Sequence, residues 1–412
     1  MDRIPARHID TDSLLSNSRT FCALPWTHIH QTPDGTRLPC CIANLKYKNA
    51  IPKGLSIEDT INSEFMKQLR LDMLLERRSG MCKVCYKTEE TGRSFRQEAN
   101  ALFGEHIADA VNDTSVDGTL HNFKMRYFDI RFSNICNFKC RSCNSGYSSL
   151  WEAEDIKHGI LGERVGTIGN PELLEEVLTH VPYMDRAYFA GGEPLVTDEH
   201  YYILNKMIEL GRTDIKLIYN SNASILNYKK HDLLKMWKKF SQPVEFFASI
   251  DHYGSRAEYI RHGTKWSDVE KNLAKLKKSK SVKCSYTTTV TMLNYSTFAE
   301  FIEYMISRDL WPEGDWQVNP VWNPQYLSPQ ALPVKVKRES TKKLLTLLDT
   351  LSKKHSEYQH SLDGMRNLAE MANQQNTWRD IRHEFVSETN RLDAIRKESF
   401  STTFPDLQEL IK

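Results

Sequence analysis

Residues 126–143 read RYFDIRFSNICNFKCRSC. The aromatic and branched run at the front of this stretch has strand composition, which places a strand over Met125 to Phe132. It runs directly into Cys136, Cys140 and Cys143, three thiols inside eight residues. A free cysteine is normally buried among apolar neighbours. Here the neighbours are Asn137, Lys139, Arg141, Ser142 and Asn144, so the loop has the composition of a metal site at a strand's carboxyl end. Structural zinc wants four protein ligands, and the nearest histidine, His121, lies on the far side of the strand. Iron–sulfur clusters take thiolates, and four irons served by three of them leave one iron open to another ligand.

Working outward, further strands are expected at Arg186 to Ala190, Ile215 to Tyr219, Val244 to Ile250, Val282 to Val290 and Trp316 to Asn319. Between them, residues 198–212, 229–240, 266–280 and 296–310 carry apolar side chains at three- and four-residue spacing, as amphipathic helices do. Strands alternating with helices signal an α/β fold with a parallel sheet, and six such strands make a partial (β/α)6 barrel of TIM type. Loops at the carboxyl ends of such strands carry the reactive groups. The reading divides the chain into a small cysteine-rich amino-terminal domain over residues 1–100, a connector over 101–124, the barrel over 125–330 and a helical carboxyl-terminal region over 331–412. Within the first hundred residues one helix is expected, over 57–78.

The rest of the composition is that of a globular protein. Hydrophobic residues make up 40% and charged residues 26% of 412, and 55 basic residues nearly balance 53 acidic ones. No net field holds a polyanion, which speaks against nucleic acid, and no apolar run is long enough for a membrane span. The opening MDRIPARHIDTDSLL lacks the apolar core of a signal peptide, so a cytoplasmic protein is expected, with its nine cysteines as ligands rather than disulfides.

The C-x3-C-x2-C loop after a first barrel strand resembles the signature of the radical S-adenosylmethionine (SAM) superfamily. The resemblance implies a 4Fe-4S cluster on Cys136, Cys140 and Cys143 whose open iron is chelated by SAM. An electron then cleaves SAM to a 5'-deoxyadenosyl radical that takes a hydrogen atom from substrate. One position departs: the residue before the third cysteine, usually aromatic and in touch with adenine, is Ser142. After the second strand, Gly191, Gly192, Glu193 and Pro194 are similar to the family's GGEP motif, which binds the methionine amino group. Two glycines allow close backbone approach, and Glu193 supplies an acceptor for an ammonium group. Ser221, Asn222 and Ala223 resemble the family's Thr-Asn-Gly corner. Ser249 and Asp251 end the fourth strand and could meet ribose hydroxyls or the SAM carboxylate. Arg261 and Gly263 resemble an Arg-Gly pair of peptide-modifying members. For each, a polar cap on a strand or helix is the plain alternative. Asn294 is a weaker candidate of the same kind, and Cys284, inside the fifth strand, is read as a packed core thiol.

Near the amino terminus, Cys22, Gly35 and Cys40 are followed by the pair Cys82 and Cys85. This C-x12-G-x4-C stretch and later C-x2-C resemble the SPASM and twitch domains, which hold auxiliary 4Fe-4S clusters. Those domains usually follow the barrel, whereas here the unit precedes it. Pro33, Asp34 and Gly35 would form a tight turn presenting Cys40, with Cys41 as the alternative ligand. Tetrahedral zinc on the same cysteines stays open, with His28 and His30 available to join it. The leading reading is a radical SAM enzyme acting on a peptide or protein side chain, served by a flavodoxin or ferredoxin-type reductant. The alternatives are the same chemistry on a nucleotide, sugar or other small molecule, and a noncatalytic iron–sulfur or zinc protein for electron transfer or partner binding.

Overall fold

The computed structural model describes residues 9–167 and 169–412, so the first eight residues of the stretch read for a leader lie outside it. Among the described residues no helix is long and apolar enough to cross a membrane. The chain forms two compact units, one built from the segments up to Ile135, His158–Ile218 and Lys239–Gln242, the other from Cys136–Lys157, Tyr219–Lys238 and Pro243–Lys412.

In the first unit, β1 (His28–Gln31) turns through Pro33 to Gly35 into β2 (Arg37–Leu38), and β1 also lies parallel beside β3 (Tyr127–Ile130). The turn is closed by Gly35 N–H donating to the Thr32 carbonyl at 3.0 Å. On its other edge β3 pairs in parallel with β4 (Arg186–Phe189). The cysteine-rich amino-terminal segment therefore supplies two strands to this sheet, β1 beside the expected barrel strand and β2 outside it, which its turn-rich composition does not announce. β5 (Lys216–Ser221) runs from the first unit into the second. The second unit holds β6 (Val244–Ser249), β7 (Val282–Val290) and β8 (Trp316–Pro320), with β7 parallel to both neighbours.

Each strand expected from residue 125 onward is present to within three residues, and the mixed α/β class with a parallel sheet is the one observed. The expected helices also form, at Asp198–Glu209, Leu233–Trp237, Trp266–Lys277 and Phe298–Ser307. After Pro333, helices Val334–Lys354, Gln359–Gln374 and Trp378–Arg396 occupy most of the remaining chain.

One expectation is corrected, and the connector gains detail. The single helix over 57–78 is two, Ile57–Ile61 and Glu64–Leu74, because Ser63 caps a new helix by accepting Met66 N–H. Asn62 is turned outward at the break to bond Leu120 through both its amide atoms. The connector over 101–124 is likewise partly helical, containing the end of Phe95–Phe103 and all of Ile107–Asn112. Arg70, fully buried, draws this region together by donating to the carbonyls of Gly118, Pro25 and Ile61. Burying an arginine is tolerable only with its donors satisfied, which makes this a specific tie.

Candidate active site

The chain enters the three-cysteine loop extended from β3, and side chains on other segments fix much of the loop's shape. Phe138 is buried and anchors it. The Asn222 amide donates to Asn137 Oδ1 at 2.8 Å, and the Asn137 amide donates to Ser224 Oγ at 2.9 Å. Ala223, between those partners, has φ 56, the left-handed conformation that favours the glycine of a Thr-Asn-Gly corner. Lys139 and Cys140 form a short antiparallel ladder with Arg261 and His262. Gly263 (φ 104) follows that ladder, and a Cβ there would lie 2.8 Å from the Asn137 carbonyl oxygen, so the Arg-Gly pair permits this close approach. Cys143 N–H donates to the Cys140 carbonyl at 3.0 Å, closing a tight turn between the last two thiols.

Asp251 and Arg261 are brought together, but as partners of each other. Arg261 Nε and Nη2 donate to the two Asp251 oxygens at 2.8 and 3.0 Å, and Thr289 N–H donates to the same carboxylate at 2.8 Å. Asp251 is buried and its acceptors are engaged, so it positions Arg261 instead of reaching outward. Arg261 Nη1 in turn stands 3.8 Å from Cys140 Sγ. Burial opposes the charge on Arg261, yet the Asp251 carboxylate and the Cys140 thiol hold it firmly protonated. Burial also pushes the Cys140 thiol up to about 12 and raises Cys143. Such thiols keep their protons until a cation replaces them, as a metal centre does. Ser249 is partly exposed at the end of β6. Asn294 is fully buried and caps its own helix, bonding Thr291, Thr289 and Asp251 backbone groups. Cys284 is a buried core thiol.

In the first unit, β4 leads into Gly191 to Pro194. A Cβ on Gly192 would lie 2.1 Å from the Ile135 carbonyl oxygen, a position only glycine can hold. The next N–H, that of Glu193, donates to the same oxygen at 2.8 Å. The GGEP turn is thus strapped to the residue that precedes Cys136 in the chain. Glu193 is buried, and its Oε1 accepts Leu195 N–H at 3.2 Å, capping the turn that follows. A small cleft is lined here by Arg131, Ser133, Gly192, Glu193 and His200.

The amino-terminal cysteines converge in the first unit. Cys40 and Cys82 pack on one apolar cluster of Leu38, Ala43 and Met81. The loop after Cys40 is tied to the turn before Cys82, with Asn44 N–H donating to the Met81 carbonyl at 3.0 Å. Burial raises the Cys22 thiol, and Cys82 and Cys85 are near enough to raise it further; Cys40 responds likewise to Cys22, Cys41 and Cys82. Cys41 is exposed and answers first, after burial, to Asp129. The Cys22 segment is gripped by Arg96, which donates to the carbonyls of Ser18 and Phe21, and by Asn100, which bonds Ala23 and Phe21. His28 and His30 do not turn to the thiols. They reach across the ladder to β3, His28 to the Tyr127 carbonyl at 2.8 Å and His30 to the Asp129 carboxylate at 2.7 Å. Burial depresses the His28 pKa to about 4.

Among the described residues no three His, Cys, Asp or Glu side chains are gathered tightly enough to chelate one metal ion.

Residues that the sequence reading did not single out complete the loop's surroundings: Trp151, whose indole donates to the Cys140 carbonyl at 2.7 Å, and Arg396, which donates to the Lys139 carbonyl at 2.9 Å. Only the tryptophan, eight residues after Cys143, left a nearby trace in the sequence.

Residues 130–305, less than half of the chain, match the model of the radical SAM superfamily. The comparison with curated proteins returned no match. Among solved structures the chain is similar to native anSMEcpe with bound AdoMet, at 21% identity over 55% of this chain and 60% of that one, with a TM-score of 0.39. It is similar to the same protein with bound AdoMet and a peptide, at 19% over 56% and 61%, with a TM-score of 0.39. A further similarity is to TYW1 with a lysine–pyruvate adduct bound, at 15% over 56% and 71%, with a TM-score of 0.30. The chain spans about three fifths of the length of the anSMEcpe structures.

Proposed function

We propose that the chain is a radical SAM enzyme in which Cys136, Cys140 and Cys143 hold a 4Fe-4S cluster and the substrate is a peptide or protein side chain. The observation that carries the reading is a loop that brings three thiols within eight residues, its backbone braced by Asn222, Ser224 and the ladder to Arg261 and His262. Bound there, the cluster and SAM would supply a one-electron cleavage of the sulfonium and a radical that abstracts hydrogen.

The chain's own residues bind, orient and shield. Arg261, held protonated by Asp251, places a cation beside the Cys140 sulfur and so favours its thiolate. Asn222 sets the loop through Asn137. The turn Gly191, Gly192, Glu193 and Pro194 offers backbone and carboxylate acceptors to the SAM amino group, and the Ser249 hydroxyl serves its ribose or carboxylate. Cys22, Cys40, Cys82 and Cys85 would hold a second, auxiliary 4Fe-4S cluster. Cys40 is preferred to Cys41 because it shares an apolar cluster with Cys82. The similarity of that cysteine pattern to SPASM and twitch units supports the peptide substrate, and a flavodoxin or ferredoxin-type protein would deliver the electron in the cytoplasm.

The test is anaerobic reconstitution with iron and sulfide, reduction with dithionite and addition of SAM. Formation of 5'-deoxyadenosine and methionine supports the proposal; an intact cluster that leaves SAM unchanged refutes it.

A further inference from the structure

The residues on either side of the loop's middle cysteine are held by groups from the far end of the chain. Helix Trp378–Arg396 ends on Lys397 in the left-handed conformation, φ 56 and ψ 43, and the reversal lets Glu398 N–H donate to the Asp393 carbonyl at 3.0 Å. The carboxylates of Asp393 and Glu398 are thereby brought side by side. Both accept from Arg141 Nη2, at 2.6 and 2.7 Å. The Arg141 guanidinium lies 3.6 Å over the Tyr259 ring, and the Tyr259 hydroxyl donates to Asp393 at 2.7 Å. His262 Nδ1 completes the group 2.6 Å from Glu398.

Arg396, on the last turn of the same helix, lies 4.4 Å over the Trp151 ring and bonds Glu154 at 2.8 Å as well as the Lys139 carbonyl. Three successive loop residues are therefore seized in turn: Lys139 by Arg396, Cys140 through its carbonyl by Trp151, and Arg141 by Asp393 and Glu398. Both arginines are buried, Arg396 with no exposed side chain and Arg141 with 4%. Buried ion pairs give back most of their attraction as lost hydration, so they are poor devices for stability and better ones for fixing a geometry.

We propose that Asp393, Arg396 and Glu398 are positioning residues that set the placement of Cys140, and through it the cluster's reduction potential and its response to SAM. The inference rests on reading the loop as the cluster loop. The potential of such a cluster follows hydrogen bonding and charge at its sulfurs, and the Arg261 contact to Cys140 Sγ changes whenever the loop shifts.

The test uses the full chain carrying Glu398→Gln or Asp393→Asn, substitutions that keep shape while removing one charge and one acceptor. Arg366→Gln, which breaks an exposed pair with Asp349 in the same tail, is the control. With iron content and melting temperature near wild type, the clasp variants are expected to show a displaced midpoint potential. The SAM concentration giving half the change in the reduced cluster's EPR spectrum should rise roughly tenfold, the lower end of effects for groups that orient metal ligands. The control should match wild type. Wild-type potential and SAM response in iron-loaded clasp variants overturn the proposal.

Amide hydrogen exchange on iron-free protein is the second arm. Glu398→Gln should speed exchange at residues 139–143 and leave β6 unchanged, and equal exchange also overturns the clasp. If wild type takes up no cluster, the reading of the loop has failed, whereas the exchange result still judges the clasp by itself.

Discussion

The two cysteine groups are assembled in opposite ways. Cys136, Cys140 and Cys143 are neighbours in sequence, and their fixing partners come from far away, Asp393 and Glu398 lying 252 and 257 residues from Arg141. Cys22, Cys40, Cys82 and Cys85 are themselves scattered, and the groups that gather them, Arg96, Asn100 and the Leu38, Ala43, Met81 cluster, belong to the same amino-terminal hundred residues. On the proposed reading the first group would supply three donors on one loop; the second would supply four, enough to close a centre. An open centre suits chemistry on a bound molecule, and a closed one suits electron transfer or structure.

The sharpest way to break this contrast is to remove one donor from each group. Cys140→Ala should lower 5'-deoxyadenosine formation by at least about a thousandfold, because the loop then offers two ligands to a cluster that needs three. Paired substitution of Cys22 and Cys85 by alanine should remove about half of the bound iron while SAM cleavage continues, read by iron analysis beside product formation. Equal loss of cleavage in both proteins would erase the distinction between open and closed centres. Unchanged iron in the second would remove the auxiliary cluster.

A smaller effect separates the folds beneath the two sites. His28 is fully buried and its pKa is depressed to about 4, so between that value and about 6.5 the unfolded chain takes up a proton that the folded chain refuses. The stabilising contribution is complete above about pH 6.5 and drains away as pH falls through that window. It amounts to on the order of 3 kcal/mol by linkage. Urea unfolding of iron-free protein at pH 7 and 4.5 should show this loss, and His28→Gln should flatten the dependence. An unchanged slope in the variant would remove His28 as its source.

Local pattern carried much of this architecture into view. Period-two and period-three-to-four runs announced the strands and their helices, and the thiol spacing with GGEP marked the candidate site. What stayed hidden depends on long-range geometry. β1 pairs with β3 across 99 residues, a pairing that the histidines reveal only once their bonds to Tyr127 and Asp129 are seen. Asp251 and Arg261 each read as a ligand, yet their ten-residue separation concealed that they neutralise one another. Arg141, Asp393, Arg396 and Glu398 have no shared period at all, so no local pattern marked their meeting. Ser63 shows the same lesson at short range, where a capping residue inside a continuous apolar stripe ended one helix and began another.

The most direct measurement of the central claim is the EPR spectrum of the dithionite-reduced protein carrying Cys22→Ala and Cys85→Ala, so that only the loop cluster contributes, recorded before and after SAM is added. The account predicts a changed spectrum, as SAM takes the coordination site that Cys136, Cys140 and Cys143 leave free. A cluster signal identical in both samples would contradict it.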